Sequence, residues 1–196
     1  MPAKKEILLA THNKGKLEEY RYILSPMGYL VYSASDLNID DEPEENGSTY
    51  QENSYIKAQY LAEKIHMPVI SDDSGLEILS LNREPGVYSA RYAERCGGYQ
   101  KAFREINARL TGLDRKAEFH CCICYLSTPE AKPLYFEGTC PGRILERPHG
   151  ENGFGYDPIF HADEPDIDFG VATKAIKNKY SHRAKALRKL AFFLVI

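Results

Sequence analysis

Apolar positions along the chain recur on two periods, that of a buried strand and that of an amphipathic helix. Ile7-Leu8-Leu9-Ala10 predicts a first strand. Leu17, Tyr20, Ile23 and Leu24 then fall on one helical stripe, which Pro26 and Gly28 end. Leu30-Val31-Tyr32 predicts a second strand. Thr49 and Glu52 have capping-box spacing, and Ala58, Leu61, Ala62 and Ile65 give the following helix a buried side before Pro68 closes it. Val69-Ile70 reads as a strand ending at a turn over residues 71–75, with a separate strand at 76–79 and a loop around Pro85-Gly86. A helix is expected over residues 99–110, carrying Ala102, Phe103, Ile106 and Leu110, and a long strand over 116–127. Both faces of that strand are apolar, Phe119/Cys121/Ile123/Tyr125 and Cys122/Cys124/Leu126. Pro129 and Pro133 bracket a turn before strands at 134–137 and 143–145, and a last helix from about Ser181 aligns Ala184, Leu187, Ala191 and Leu194. Strands alternating with helices, then strands in succession, predict an α/β protein with a mixed sheet. At 196 residues the chain is read as a single domain, 1–196.

Composition narrows the function classes. Hydrophobic residues make up 43% and charged residues 27%, which suits a folded globule rather than a disordered chain. The net charge of −3 sets duplex nucleic-acid binding behind other readings. The longest apolar run, residues 190–196, is far short of a membrane span, and residues 1–6 lack the pattern of a secretory signal, so a cytoplasmic protein with no membrane partner is expected. Five cysteines argue against a disulfide framework. Cys121, Cys122 and Cys124 lack C-x-x-C spacing and alternate across a strand, so they read as small core side chains rather than metal ligands.

Five segments could carry chemistry. Thr11-His12-Asn13-Lys14-Gly15-Lys16 joins a strand to a helix, where free N–H groups and the positive helix end attract anions. An ordinary helix entry is the competing reading. It is no P-loop, because the first glycine is absent and Leu17 stands where Ser/Thr belongs. Asp72-Asp73-Ser74-Gly75 follows a buried strand, where carboxylates could hold Mg²⁺ or merely make a turn. Residues 36–47 hold six acids and no base, a solvated loop unless a cation recruits Glu44 or Glu45. From 171 to 196 there are seven Lys/Arg and no acid, suiting exposed helix lysines or a polyphosphate ligand. Gly153-Phe154-Gly155-Tyr156-Asp157-Pro158 sets aromatics among glycines, either a core turn or a base-stacking platform.

Taken in order, these segments resemble the inosine triphosphate pyrophosphatase family. The likeness runs through residues 10–16, then Thr49-Tyr-Gln-Glu-Asn53 with Lys57-Ala58, then Ser71-Asp-Asp-Ser-Gly-Leu76 and residues 85–92. It continues through Phe119-His-Cys121, Gly138 to Gly142, residues 153–158 and Ser181-His-Arg183. The resemblance implies an α/β fold with a long twisted mixed sheet, two lobes and a cleft between them, and a homodimer. It also implies Mg²⁺-dependent cleavage of ITP, dITP and XTP to the monophosphate and pyrophosphate, which clears deaminated purines from the nucleotide pool. By the same resemblance Thr11, His12, Asn13, Lys14, Gly15 and Lys16 cradle phosphate. Glu45 and Asp73 bind the metal, with Glu44 as the alternative to Glu45, and Asp73 is the general base. Ser74 and Lys57 contact substrate. Phe154, Gly155, Tyr156, Asp157, Lys177, His182 and Arg183 form the base and sugar pocket. The stretch before Ser181 lacks the acids usual in the family, which leaves Lys174 and Lys179 as competitors of Lys177.

Overall fold

A computed structural model describes residues 5–195. Residues 1–4 and 196, the start of the N-terminal segment and the last residue of the apolar run discussed above, lie outside the described residues.

The fold is an open mixed sheet of eight strands flanked by helices. Strands β1 (Lys5–Leu9), β2 (Tyr29–Ser33), β3 (Val69–Ile78), β4 (Glu84–Pro85), β5 (Lys116–Leu126), β6 (Leu134–Ile144), β7 (Phe160–Ala162) and β8 (Ile167–Asp168) lie in the order β2-β1-β3-β5-β6-β7-β8, with β4 on β3. β1 pairs in parallel with β2 and β3, while β4, β7 and β8 join antiparallel, so the predicted mixed sheet is present. The helices are α1 (Lys14–Leu24), α2 (Tyr50–Lys64), α3 (Ser89–Arg95), α4 (Tyr99–Arg109), α5 (Lys174–Tyr180) and α6 (His182–Val195).

The chain divides into two compact units. One comprises residues 1–73, 121–137 and 186–196, the other 74–120 and 138–185.

In the first unit, strand alternation sorts side chains to two cores. Ile7, Leu9, Ile70, Cys121 and Ile123 pack with Tyr20 and Leu24 of α1 and with Ala186, Leu187 and Leu190 of α6. Leu8, Ala10, Val69, Cys124 and Leu126 pack with Ala58, Leu61 and Ala62 of α2. The capping box forms as predicted, with Thr49 accepting from the Glu52 N–H and Glu52 reaching back to the Thr49 N–H. All five cysteines are free thiols, and Cys121, Cys122 and Cys124 are core residues. In the second unit, Leu76, Ile78, Phe103, Ile106, Phe119, Phe160 and Phe169 build one core.

Three expectations are corrected. Residues 71–75 are not a turn, because β3 runs unbroken from Val69 to Ile78. The ladder to β1 at its start and to β4 at its end keeps the backbone extended, overriding the local turn preference of Asp, Ser and Gly. Residues 134–137 and 143–145 are ends of a single strand, β6. Gly142 serves the sheet there, since a Cβ would meet the His161 carbonyl oxygen of β7 at 2.0 Å. Helix α3 occupies part of the stretch after Pro85-Gly86 that reads as loop, and α5 forms where no element was predicted. α5 starts where the Thr173 hydroxyl accepts from the Ile176 N–H.

Candidate active site

The first unit gathers most of the predicted phosphate and metal residues. β1 ends at Leu9, and Asn13 is the N-cap of α1, its Oδ1 accepting from the Lys16 N–H at 3.1 Å. Thr11 Oγ1 accepts from the Asn13 N–H, also at 3.1 Å. Thr11 and Asn13 therefore shape the turn, while Lys14 and Gly15 open the helix with its N–H groups and positive end. His12 pairs with Ser35 Oγ at 3.1 Å and faces Glu42 at 3.5 Å. Beside this turn lies a depression lined in part by Thr11, His12, Lys57 and Tyr60.

Because β3 is continuous, Asp72 and Asp73 point to opposite faces. Asp72 meets Lys16 Nζ at 3.0 Å on the α1 side. Asp73 lies on the α2 side, where Asn53 Nδ2 donates to its Oδ2 at 3.2 Å and Lys57 Nζ stands 3.9 Å from its Oδ1. Lys57 Nζ also bonds Glu45 Oε2 at 3.1 Å. Glu45 and Asp73, from separate segments, thus converge on one ammonium. Glu45 is half-buried there, whereas Glu44 is exposed.

The remaining acids of residues 36–47 are exposed, as the run suggests, and two of them are nonetheless paired. Asp36 is held by Arg21 and the Ser33 N–H, and Asp41 by Lys64 and Tyr60. Basic and polar partners come from other elements, a feature no local reading of the loop reveals.

Burial pushes the Asp73 carboxyl above the ordinary aspartate range, against the opposing pull of Lys57 and Lys16. Burial disfavours the charged form of Lys57, but Asp73, Glu45 and Asp72 outweigh it and hold the ammonium above its usual value. The arrangement is a buried cation between carboxylates, one of which has heightened proton affinity.

The second unit gathers the remaining predicted residues around Phe154. Asp157 Oδ2 accepts from the Phe154 N–H at 2.8 Å and from Lys177 Nζ at 2.6 Å. Gly153, at φ +78°, is required there, since a Cβ would come within 2.1 Å of Asp157 Oδ2. Lys177 Nζ lies 4.7 Å and Arg183 Cζ 5.6 Å from the Phe154 ring centroid. Arg183 Nη2 donates to Ser74 Oγ at 2.8 Å, and His182 stacks on Phe119 with ring centroids 4.7 Å apart. Lys177 is buried whereas Lys174 and Lys179 are exposed. Of the two aromatics, Phe154 is half-buried, but Tyr156 belongs to the core, its hydroxyl donating to the Ser89 carbonyl at 2.8 Å. Gly155, at φ +64°, turns the chain between them.

One residue given no role from sequence is part of the first cluster. Asn53 is fully buried, with Oδ1 accepting from the Gly47 N–H at 2.8 Å and Nδ2 on Asp73. Its place four residues before Lys57 on one helix face was a usable signal.

The Ham1 family model matches residues 7–193. A dITP/XTP pyrophosphatase of Halalkalibacterium halodurans is 44% identical over 189 residues, 95% of this chain and 97% of that protein. A dITP/XTP pyrophosphatase of Bacillus subtilis is 43% identical over 193 residues, covering 97% of each. Among solved structures, the Staphylococcus aureus Ham1 protein superposes with a TM-score of 0.85 at 40% identity, over 97% of this chain and 98% of that one. A HAM1 protein from Coxiella burnetii gives 0.87 at 35% identity, with the same coverage. With the match running through both units and nearly from end to end, the chain belongs to the Ham1 family.

Proposed function

We propose that the protein is a nucleoside-triphosphate pyrophosphatase that hydrolyses non-canonical purine nucleoside triphosphates, dITP, ITP and XTP, to the monophosphate and pyrophosphate. Its role is then to keep deaminated purines out of nucleic acids. The observation that carries this reading is the convergence of Glu45 and buried Asp73 on Lys57 beside the Asn13-capped turn. The relatives' names supply the substrate class.

The donor set fits Mg²⁺. Among the described residues no three His, Cys, Asp or Glu side chains form a cage, and Mg²⁺ is usually bound by one or two carboxylates together with substrate phosphates and water. Glu45 and Asp73 would hold it, and when bound it supplies Lewis acidity to phosphate oxygens and lowers the pKa of a water.

The chain's own residues do the rest. The first N–H groups of α1 and the Lys16 ammonium meet phosphate charge. Lys57, charged under all working conditions, neutralises the anionic centre when substrate is present and the two carboxylates when it is not. Asp73 accepts the proton of the water whose oxygen attacks the α-phosphorus, and the bond to the bridging oxygen breaks to release pyrophosphate. Burial makes Asp73 a stronger base than a solvated aspartate. In the second unit, the Phe154 face offers a stacking surface, and Arg183 is a donor suited to the C6 carbonyl of hypoxanthine or xanthine. Adenine presents an amino group there, and a buried donor facing a donor is rejected.

The test is product analysis with dITP and XTP at varied Mg²⁺. Pyrophosphate is the expected product, and release of orthophosphate overturns the reading. Asp73→Asn is expected to lower kcat by about a hundredfold, the scale of losing a general base. Near-normal kcat would remove Asp73 from that role. The same reading carries a cytoplasmic homodimer, to be checked by light scattering in solution and by fractionation.

A further inference from the structure

We infer that Asn53 is a positioning residue that couples the two carboxylates of the site, fixing Asp73 through its amide nitrogen and the Glu45 loop through its amide oxygen. The inference rests on the reading of Asp73 and Glu45 given above and assigns a role to a side chain that acts through its bonds to Asp73 and Gly47.

The amide orientation is set by chemistry. The Gly47 N–H can only donate, so the Asn53 atom 2.8 Å from it must be the oxygen. The NH₂ group is then directed at Asp73 Oδ2, 3.2 Å away. That contact distinguishes the two oxygens of Asp73, with Oδ2 held by the amide and Oδ1 on the Lys57 side.

The other arm sets the loop. Gly47 lies two residues beyond Glu45, so anchoring its N–H to α2 places the Glu45 carboxylate near Lys57 of the same helix. The approach is tight enough to exclude a side chain. A Cβ on Gly47 would lie 2.6 Å from Asn53 Oδ1 and 2.7 Å from Glu52 Cβ. Asn53 is fully buried, and the capping box holds the helix turn that carries it, so both bonds act from a rigid element.

Asn53→Asp separates the two arms. A carboxylate at this position still accepts from Gly47 but, ionised, cannot donate to Asp73. Asn53→Ala removes both bonds, and Gly47→Ala strikes the loop arm from the other side. Hydrogen exchange at the Gly47 amide, measured on the metal-free protein, reads the loop arm without catalysis. Protection is expected in wild type and Asn53→Asp and lost in Asn53→Ala. Steady-state kinetics with dITP reads the other arm. Asn53→Asp is expected to lower kcat by roughly 10–100-fold, the scale of losing an outer-shell partner, with KM unchanged. Wild-type exchange at Gly47 in Asn53→Ala would overturn the loop arm, and wild-type kcat in Asn53→Asp would overturn the Asp73 arm. Should Asn53→Ala not fold, faster Gly47-segment exchange in Gly47→Ala supports the loop arm, and unchanged exchange overturns it. A wild-type enzyme that releases no pyrophosphate defeats the functional reading alone, because the exchange result stands apart from turnover.

Discussion

Lys177 and Asp157 show what single side chains contribute to the second unit. Their side chains are 7% and 4% exposed, and their charged atoms are 2.6 Å apart. Removing one partner of such a pair strands the other in a poorly solvated place. Lys177→Met is therefore expected to cost about 3–5 kcal/mol in urea unfolding. Adding Asp157→Asn should recover part of that loss, since no charge is then stranded. Equal stability of the single and double variants would show that the pair is solvated well enough to matter little. Sequence reading identified both residues through the family likeness, but their mutual contact was not readable, because they lie twenty positions apart on different elements. For the acids of residues 36–47 the difficulty was the same. Asp36, Asp41 and Glu45 find partners on α1 and α2, so half the acids of a solvated run are held from other elements.

At the scale of elements, local chemistry and long-range pairing divide the outcome. The α2 capping box was legible because it is written in four consecutive residues, Thr49 to Glu52. Thr49→Ala is expected to lower stability by about 1 kcal/mol, visible as a reduced Tm. An unchanged Tm would mean that tertiary packing alone holds that end of α2. The two ends of β3 were legible but its continuity through residues 71–75 was not, because the turn preference of Asp-Asp-Ser-Gly is local and the pairing with β1 and β4 is not. The β7–β8 hairpin carries a pH-dependent contribution. Burial acts to raise the pKa of Asp168, but hydrogen bonds from His149 and His161 outweigh it and leave the carboxyl below its usual value. A depressed folded-state pKa means that this stabilisation is present above the unfolded aspartate value, about 3.9, and is lost as pH falls through the folded value. Urea midpoints measured from neutral pH into acid should therefore fall less steeply in that window for Asp168→Asn than for wild type. Parallel profiles would contradict the assignment.

For the whole molecule, five cysteines form no disulfide, and four of them are buried. Burial pushes the thiols of Cys122 and Cys124 up to about 12 and that of Cys140 to about 11. A thiol reagent should label the native protein slowly and incompletely, and label five groups after denaturation. Rapid labelling of Cys121, Cys122 or Cys124 in the native state would mean that the β5 core opens readily. The mixed sheet and the elements with strong local signals, α1, α2, α4 and α6, were determined by the amino-acid sequence itself, through apolar periodicity, caps and breakers that act over a few residues. The ordered motifs also determined the family and hence the candidate site residues. Only the tertiary structure decided that Asp72 and Asp73 part to opposite faces, that Lys57 stands between Glu45 and Asp73, and that Asn53 joins the acidic loop to β3. The physical reason is that strand continuity and ion pairing are settled by partners remote in sequence, and their energies override the propensities of the residues that display them.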